Sequence, residues 1–319
     1  MEGSIGARRA RKPFQQHLRE LWRQRDLQVM IFPWMLLVIV FAYIPLYGLI
    51  IAFQDYRLGD AIGFSRWAGL ENFRMFFNSH DFWPIMRNTF AISFLKMLFA
   101  FPAPIILALM LNEVRGIKFK RSVQTISYLP YFISWVVVAG LTLDFLKPDG
   151  SINSLLMSLN IIDSPIAFMN EAKYFWGVIV VTDIWKGIGW NAIIYIAAIA
   201  SINPELYQAA DIDGAGRMRK VWHITMSGIK PTVVILLILT TGSIIQSSFD
   251  QVMLLTNNLQ NTLVYERSEI LDTHILRVGM RNMRYSYATA AGLFRSFVSV
   301  ALLLSANFTA KKLSDESLF

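Results

Sequence analysis

From Val29 to Phe53 the chain runs for 25 residues without a charged side chain, and apolar blocks of similar length recur along it. About 20 apolar residues in helical form cross the hydrocarbon core of a bilayer. The blocks predict six spans, at about 29–53, 88–111, 122–145, 175–200, 231–252 and 287–310. The first, third and fifth have long charge-free cores, whereas the second, fourth and sixth carry ionisable residues inside. Pro33, Pro45, Pro102, Pro104 and Pro130 fall within spans. Membrane helices tolerate proline where neighbouring helices satisfy the freed carbonyls, so the expectation is a bundle of kinked helices. The predicted class is an all-α integral membrane protein. One six-span domain, 29–310, would lie between a basic leader, 1–28, and a short tail, 311–319.

The connections are patterned as well. "GLENFRMFF", ahead of the second span, reads as a short amphipathic helix, and "KPDGSINSLLMSLNIIDSP" reads as turn, helix, turn. Between the fourth and fifth spans, at about 201–230, the chain stops for a polar insert that contains "YQAADIDGAGRMRKVWHIT". After Pro204 it has good helix formers, with Glu205 in the first turn where the helix dipole favours an acid. Gly214 and Gly216 interrupt that helix, and "RMRKVWHITMSGI" starts a second one. Small Ala209, Ala210 and Ala215 permit close backbone approach, and Tyr207, Met218 and Trp222 offer anchors. Such a corner fits a groove on a partner, or lies on a membrane surface.

Composition narrows the classes. The 319 residues have a mean hydropathy of +0.44, 16% charged side chains, no cysteine and a net charge of +8. The basic residues fall in short loops and form no single patch, which argues against nucleic acid. With the N-terminus inside, the leader, the 115–121 connection, the polar insert and the tail hold nearly twice as many Lys and Arg as the opposite side. The positive-inside rule then places both termini and the insert in the cytoplasm. The first apolar stretch follows a long basic leader, exceeds a signal peptide's h-region and precedes no Ala-x-Ala-like site, so it reads as a retained anchor. His17, His80, His223 and His274 are scattered without metal-ligand spacing. No paired carboxylates or nucleophilic triad are visible. No catalytic or metal-binding residue is predicted, which disfavours a membrane-embedded enzyme.

The insert resembles the EAA loop of ABC importer permeases. Gln208-Ala209-Ala210, Asp213-Gly214-Ala215, Trp222 and Ile224-Thr225-Met226, with Pro231 following, carry the likeness. It departs from the family pattern at Gln208, where a glutamate is usual, and at Ser227, where a proline is usual. "GLENF", "YLPYFISWVVVAG" and "DIWKGIGWNAIIYIAAIASINPELY" resemble the carbohydrate-importer permeases. "FDQVMLLTN", "DTHILRVGMRNMRYSYATAAGLF" and "KKLSDESLF" are similar to their polysaccharide and aldouronate subfamily, so the likeness covers roughly residues 28–319. It implies a type I importer fold in a bacterial cytoplasmic membrane, with the EAA helix inserted into a cleft on an ATPase. The implied partners are a second homologous permease, two ABC ATPase subunits, an extracellular or periplasmic solute-binding protein and an oligosaccharide. ATP and Mg would be bound by the ATPases and no cofactor by this chain, which has no Gly-rich Lys-Ser/Thr phosphate loop. The alternative is an autonomous secondary transporter or channel for a small polar solute, gated by the insert.

Lys96, Asp183, Lys186 and Arg295 are predicted near the bilayer midplane, where charge is costly and faces protein or water. Asp183 and Lys186, at i and i+3, can pair on one helical face. All four could simply lock helices together. If they line a central cavity, three cations against one carboxylate leave a positive field, which suits an acidic, uronate-containing oligosaccharide. Trp185, Trp190 and Asn191 follow in the fourth span, and Gln246, Asp250 and Gln251 lie towards the outer end of the fifth. Aromatic faces for sugar rings and amides for hydroxyls would make these a saccharide path. Packing or an interfacial aromatic belt is the plainer role for the tryptophans.

Overall fold

The computed structural model describes residues 24–246 and 248–314, so most of the basic leader, with His17, and the end of the tail lie outside the described residues. Five helices are long and apolar enough to cross a membrane: α1 (Arg25–Phe53), α3 (Phe82–Glu113), α7 (Ala172–Ala200), α9 (Arg217–Ser243) and α12 (Tyr285–Ser314). A sixth crossing is divided between α4 (Ile117–Phe132) and α5 (Trp135–Leu146). Short helices α2 (Glu71–Phe77) and α6 (Ser151–Ser158) fill the two patterned connections as expected. Beyond them lie α8 (Pro204–Ile212), α10 (Phe249–Leu255) and α11 (Leu271–Leu276).

The prolines leave local marks. In α1 the helix widens into a π turn at Ile39–Tyr43 and tightens to 3₁₀ winding from Ile44, around Pro45. In α3 a π turn at Lys96–Ala100 ends one residue short of Pro102, with Phe101 between. Proline lacks the N–H that would close its own turn, and a change of winding absorbs the lost bond.

Two expected spans need correction. The third, expected as one helix over 122–145, breaks after Phe132, and the segments on either side are bent by 103°. Ile133 and Ser134 are extended, and the Ser134 hydroxyl caps α5 by accepting from Val137 N at 3.4 Å. Contacts with α7 advance steadily along both halves. Gly189 abuts the Ser127 backbone, Lys186 meets residues 130–133, and Phe175 and Ile179 cluster with Ala139. The two halves together therefore follow α7 between Phe175 and Gly189, as one broken span. The fifth, expected at 231–252, starts at Arg217 and stops at Ser243. Helical hydrogen bonding continues beyond the apolar stretch that hydropathy detects, so the insert's second helix and the fifth span form one continuous helix with a π turn at Val221–Thr225 and Pro231 inside it. Residues 249–255 form the separate α10.

α7 is central. It packs with α3, α5 and α10 through Ile92, Ala139, Phe175, Ile179, Val252 and Leu255. Further along, Ala192, Tyr195 and Ile199 meet Ile105 and Ala108 of α3 and Ile229 of α9. A third cluster, Phe76, Ile85, Leu271, Tyr287 and Ala291, joins α2, α3, α11 and α12. Between these clusters large apolar side chains stay exposed along every span, which water would not support and lipid or neighbouring membrane helices solvate.

Candidate functional site

Midway along α7, polar side chains converge on a groove. Asp183 accepts a hydrogen bond from Lys96 Nζ of α3 at 3.0 Å, with the lysine only 4% exposed and the carboxylate partly open. A buried charge is tolerable when paired and hydrogen-bonded. A cavity of about 180 Å³ opens beside the pair, lined by Lys96, Asp183, Asn191, Tyr195, Thr240 and Ser243 among others. A second of about 180 Å³ shares Ala100, Asp183 and Asn191 with the first and reaches Tyr131, Trp135 and Lys186.

Lys186 does not pair with Asp183, a correction to the expected i, i+3 bridge. Its ammonium donates to the carbonyls of Pro130 (3.3 Å), Tyr131 (2.8 Å) and Ile133, where α4 stops. A helix end leaves its last carbonyls without intrahelical partners, and the dipole there favours a cation. The broken span so captures Lys186 and leaves Asp183 to Lys96. Beside it Tyr131 stacks on Trp190, ring centroids 4.5 Å apart and 6° from parallel, with Phe132 edge-on to Trp190 at 5.5 Å. Arg295 lies away from both cavities and bonds to Asp272 of α11, an acid the sequence reading did not weigh. The expected excess of three cations over one carboxylate is thereby corrected to two ion pairs plus Lys186. No carboxylate pairs with Lys186 among the described residues.

The polar insert forms a compact corner. Asn203 caps α8 by accepting from Glu205 N at 3.0 Å. Gly214 ends the turn with φ +71°, a conformation that costs residues with a Cβ. Across the corner Lys220 bridges to Asp211 at 2.5 Å. Tyr207, expected as an outward anchor, instead bonds through its hydroxyl to the buried Thr225 at 2.9 Å. Gln208, Ala209 and Asp213 are exposed, whereas Ala210 and Ala215 are half-buried. Leu206, Ile212 (88% exposed), Met218 and Trp222 (69%) are the apolar side chains that project from the corner. His223, expected to pack, is exposed, and its Nδ1 lies 3.0 Å from the Arg219 carbonyl.

A family model described as the binding-protein-dependent transport system inner membrane component matches residues 100–314. The chain belongs to that family. Protein LplB of Bacillus subtilis (strain 168) is 43% identical to this permease over 94% of this chain and 92% of its own. The polygalacturonan/rhamnogalacturonan transport system permease protein YteP of the same organism is 40% identical, over 95% and 92%. Among solved structures, a chain of a bacterial ABC transporter involved in the import of the acidic polysaccharide alginate superposes with a TM-score of 0.86 at 36% identity. That match covers 94% of the permease and 99% of the other chain. A similar match is to the alginate transporter in complex with its alginate pentasaccharide-bound periplasmic protein. Family membership sets aside the alternative of an autonomous secondary transporter or channel.

Within the permease, the other residues expected on a saccharide path separate. Trp185, Gln246 and Asp250 are exposed but outside both cavity linings. Gln251 is buried, and its Nε2 donates to the Ile179 carbonyl (2.7 Å) and Thr182 Oγ1 (2.6 Å), tying α10 to α7. Sequence reasoning missed Tyr131, Trp135, Tyr195, Thr240 and Ser243 as cavity residues. The signal for Thr240 and Ser243 was a hydroxyl run near the end of an apolar span.

A second polar cluster ties Asp81 to the segment 265–277. Arg277 Nε bonds Glu269 at 2.6 Å, and its Nη2 reaches Asp81 (3.2 Å), Tyr265 (3.0 Å) and His274 (3.2 Å). Asp81, Glu269 and His274 bring three metal-ligand types within 4.8 Å of one another, but the guanidinium already sits among them. Burial alone would raise the Glu269 carboxyl. Bonds from His274, Arg277 and Tyr265 outweigh it and hold the group below its ordinary range. Burial first, then the carboxylate, pushes the Tyr265 hydroxyl well up.

Proposed function

We propose that this permease forms one half of the translocation path of an ATP-driven importer for acidic oligosaccharides. The observation that carries the reading is the groove on α7, where Lys96, Asp183 and Asn191 line a cavity beside an aromatic stack, inside a transport permease bundle. Aromatic faces suit sugar rings, and amide, hydroxyl and ammonium groups suit sugar hydroxyls and carboxylates. The acidic substrate is supported by the likeness to the alginate importer and to YteP.

In this reading a second homologous permease completes the path, and a periplasmic or extracellular binding protein delivers the sugar. Two ATPase subunits bind ATP and Mg, while this chain contributes no catalytic group. The corner at 204–225 faces the cytoplasm, as do both termini, and one ATPase receives Leu206, Ile212, Met218 and Trp222. The test is ATP hydrolysis by the co-purified complex in proteoliposomes, with its binding protein loaded with uronate or neutral oligosaccharides of equal length. Severalfold stimulation by the uronate form is expected. A neutral sugar performing as well overturns the acidic assignment, and no response to any loaded binding protein overturns the oligosaccharide reading.

A further inference from the structure

We propose that Lys186 is a positioning residue: it sets the break in the third span and so fixes the aromatic wall of the translocation groove. The inference rests on the proposed function for its transport consequence, but its structural content stands on the geometry alone. The end of α4 lies against the middle of α7, where the Pro130 carbonyl accepts from Ile133 N at 3.2 Å. Three carbonyls here, from Pro130, Tyr131 and Ile133, converge on one ammonium. A lysine offers three N–H donors, so the three carbonyls occupy the whole head group. None is left for a sugar.

What Lys186 holds is informative. Tyr131 and Phe132, within the stretch of captured carbonyls, are the residues stacked on and edge-on to Trp190. The ammonium also lies 5.5 Å from the ring centroids of both Tyr131 and Trp135, one on each side of the break. Tyr131, Trp135 and Lys186 line the same cavity. Gly189, one turn further along α7, brings the Ser127 backbone so close that a Cβ would meet its carbonyl oxygen at 2.1 Å. The glycine admits α4 and the lysine stops it, in adjacent turns of one helix. A neutral side chain at position 186 would take the ammonium from the Tyr131 and Ile133 carbonyls, and α4 would be free to extend or slide past the present break.

The experiment uses the full chain in its co-expressed complex. The permease contains no cysteine, so spin labels at Arg121→Cys and Gly140→Cys report the distance across the break. Position 140 has open space for a side chain. In the Lys186→Met background the distance distribution shifts or broadens, and uronate import falls by about tenfold or more, as loss of charge-assisted bonds implies. Lys186→Arg, which keeps the cation and its donors, restores both. Lost import with an unchanged distance distribution overturns the proposal, because the lysine would then be meeting the substrate. Unchanged import and distances overturn it as well. Should Lys186→Met fail to assemble, Lys186→Arg still decides: an arginine variant without the wild-type distance distribution refutes the positioning role. If the wild-type complex answers to no oligosaccharide, the functional reading fails while the distance measurement continues to judge the break.

Discussion

The buried Glu269 carboxylate is held by the Arg277 guanidinium and the Tyr265 hydroxyl, both of which reach solvent on their outer side. Taking away the guanidinium alone would leave the buried Glu269 carboxylate without its cation, held only by His274 and Tyr265. Arg277→Met is therefore expected to cost about 3–5 kcal/mol, read as a lower thermal midpoint of the purified complex. Glu269→Gln combined with Arg277→Met should recover most of that loss, since removing both partners spares the stranded charge. The pH dependence has a definite sign. The Glu269 carboxyl is more acidic folded than unfolded, so its contribution is complete above the unfolded value of about 4.3. It is lost as pH falls through the lower folded value. Acid should thus narrow the gap in midpoint between wild type and Glu269→Gln. These partners were invisible in the sequence, because Asp81 lies 196 positions from Arg277.

The third and fourth spans meet through a glycine, and the neighbouring glycine serves as a control. A Cβ at Gly189 would collide with the Ser127 and Tyr128 backbone, whereas one at Gly187 would meet only the Asn191 amide at 3.3 Å. Gly189→Ala should cost about 1–3 kcal/mol through overpacking, while Gly187→Ala is nearly neutral; thermal unfolding of the two variants checks the contrast. The number and placement of helices could be read from hydropathy, since a span's length is dictated by the bilayer. Its continuity could not. Pro130 marks a kink in the sequence, but the break falls where a lysine 56 positions away waits for the carbonyls. The start of α9 was also hidden, because hydropathy reports the apolar part of a helix and hydrogen bonding carries it further.

For the assembled chain, the corner is the place where a partner's movement would enter. Gly214 holds φ +71°, out of reach of a proline. Gly214→Pro brings strain of about 1–3 kcal/mol, enough for about a tenfold fall in sugar imported per ATP hydrolysed. Gln208, by contrast, is exposed, and Gln208→Glu should leave import unchanged. Loss of assembly on that substitution would show that charge, not shape, governs the contact. The corner was legible from its small residues and glycines. Of the intramembrane charges, the positions were legible but the pairings were not: Lys96 found Asp183, Arg295 found Asp272 and Lys186 found a helix end.

α9 begins at this corner and ends beside the groove, where Thr240 and Ser243 line the cavity next to the Lys96–Asp183 pair. Its 27 residues make a lever about 40 Å long, on which a tilt of about 10° swings one tip roughly 7 Å against the other. A push on Trp222 would thus reach the width of the passage through the π turn at Val221–Thr225 and past Pro231, the two places where the lever can flex.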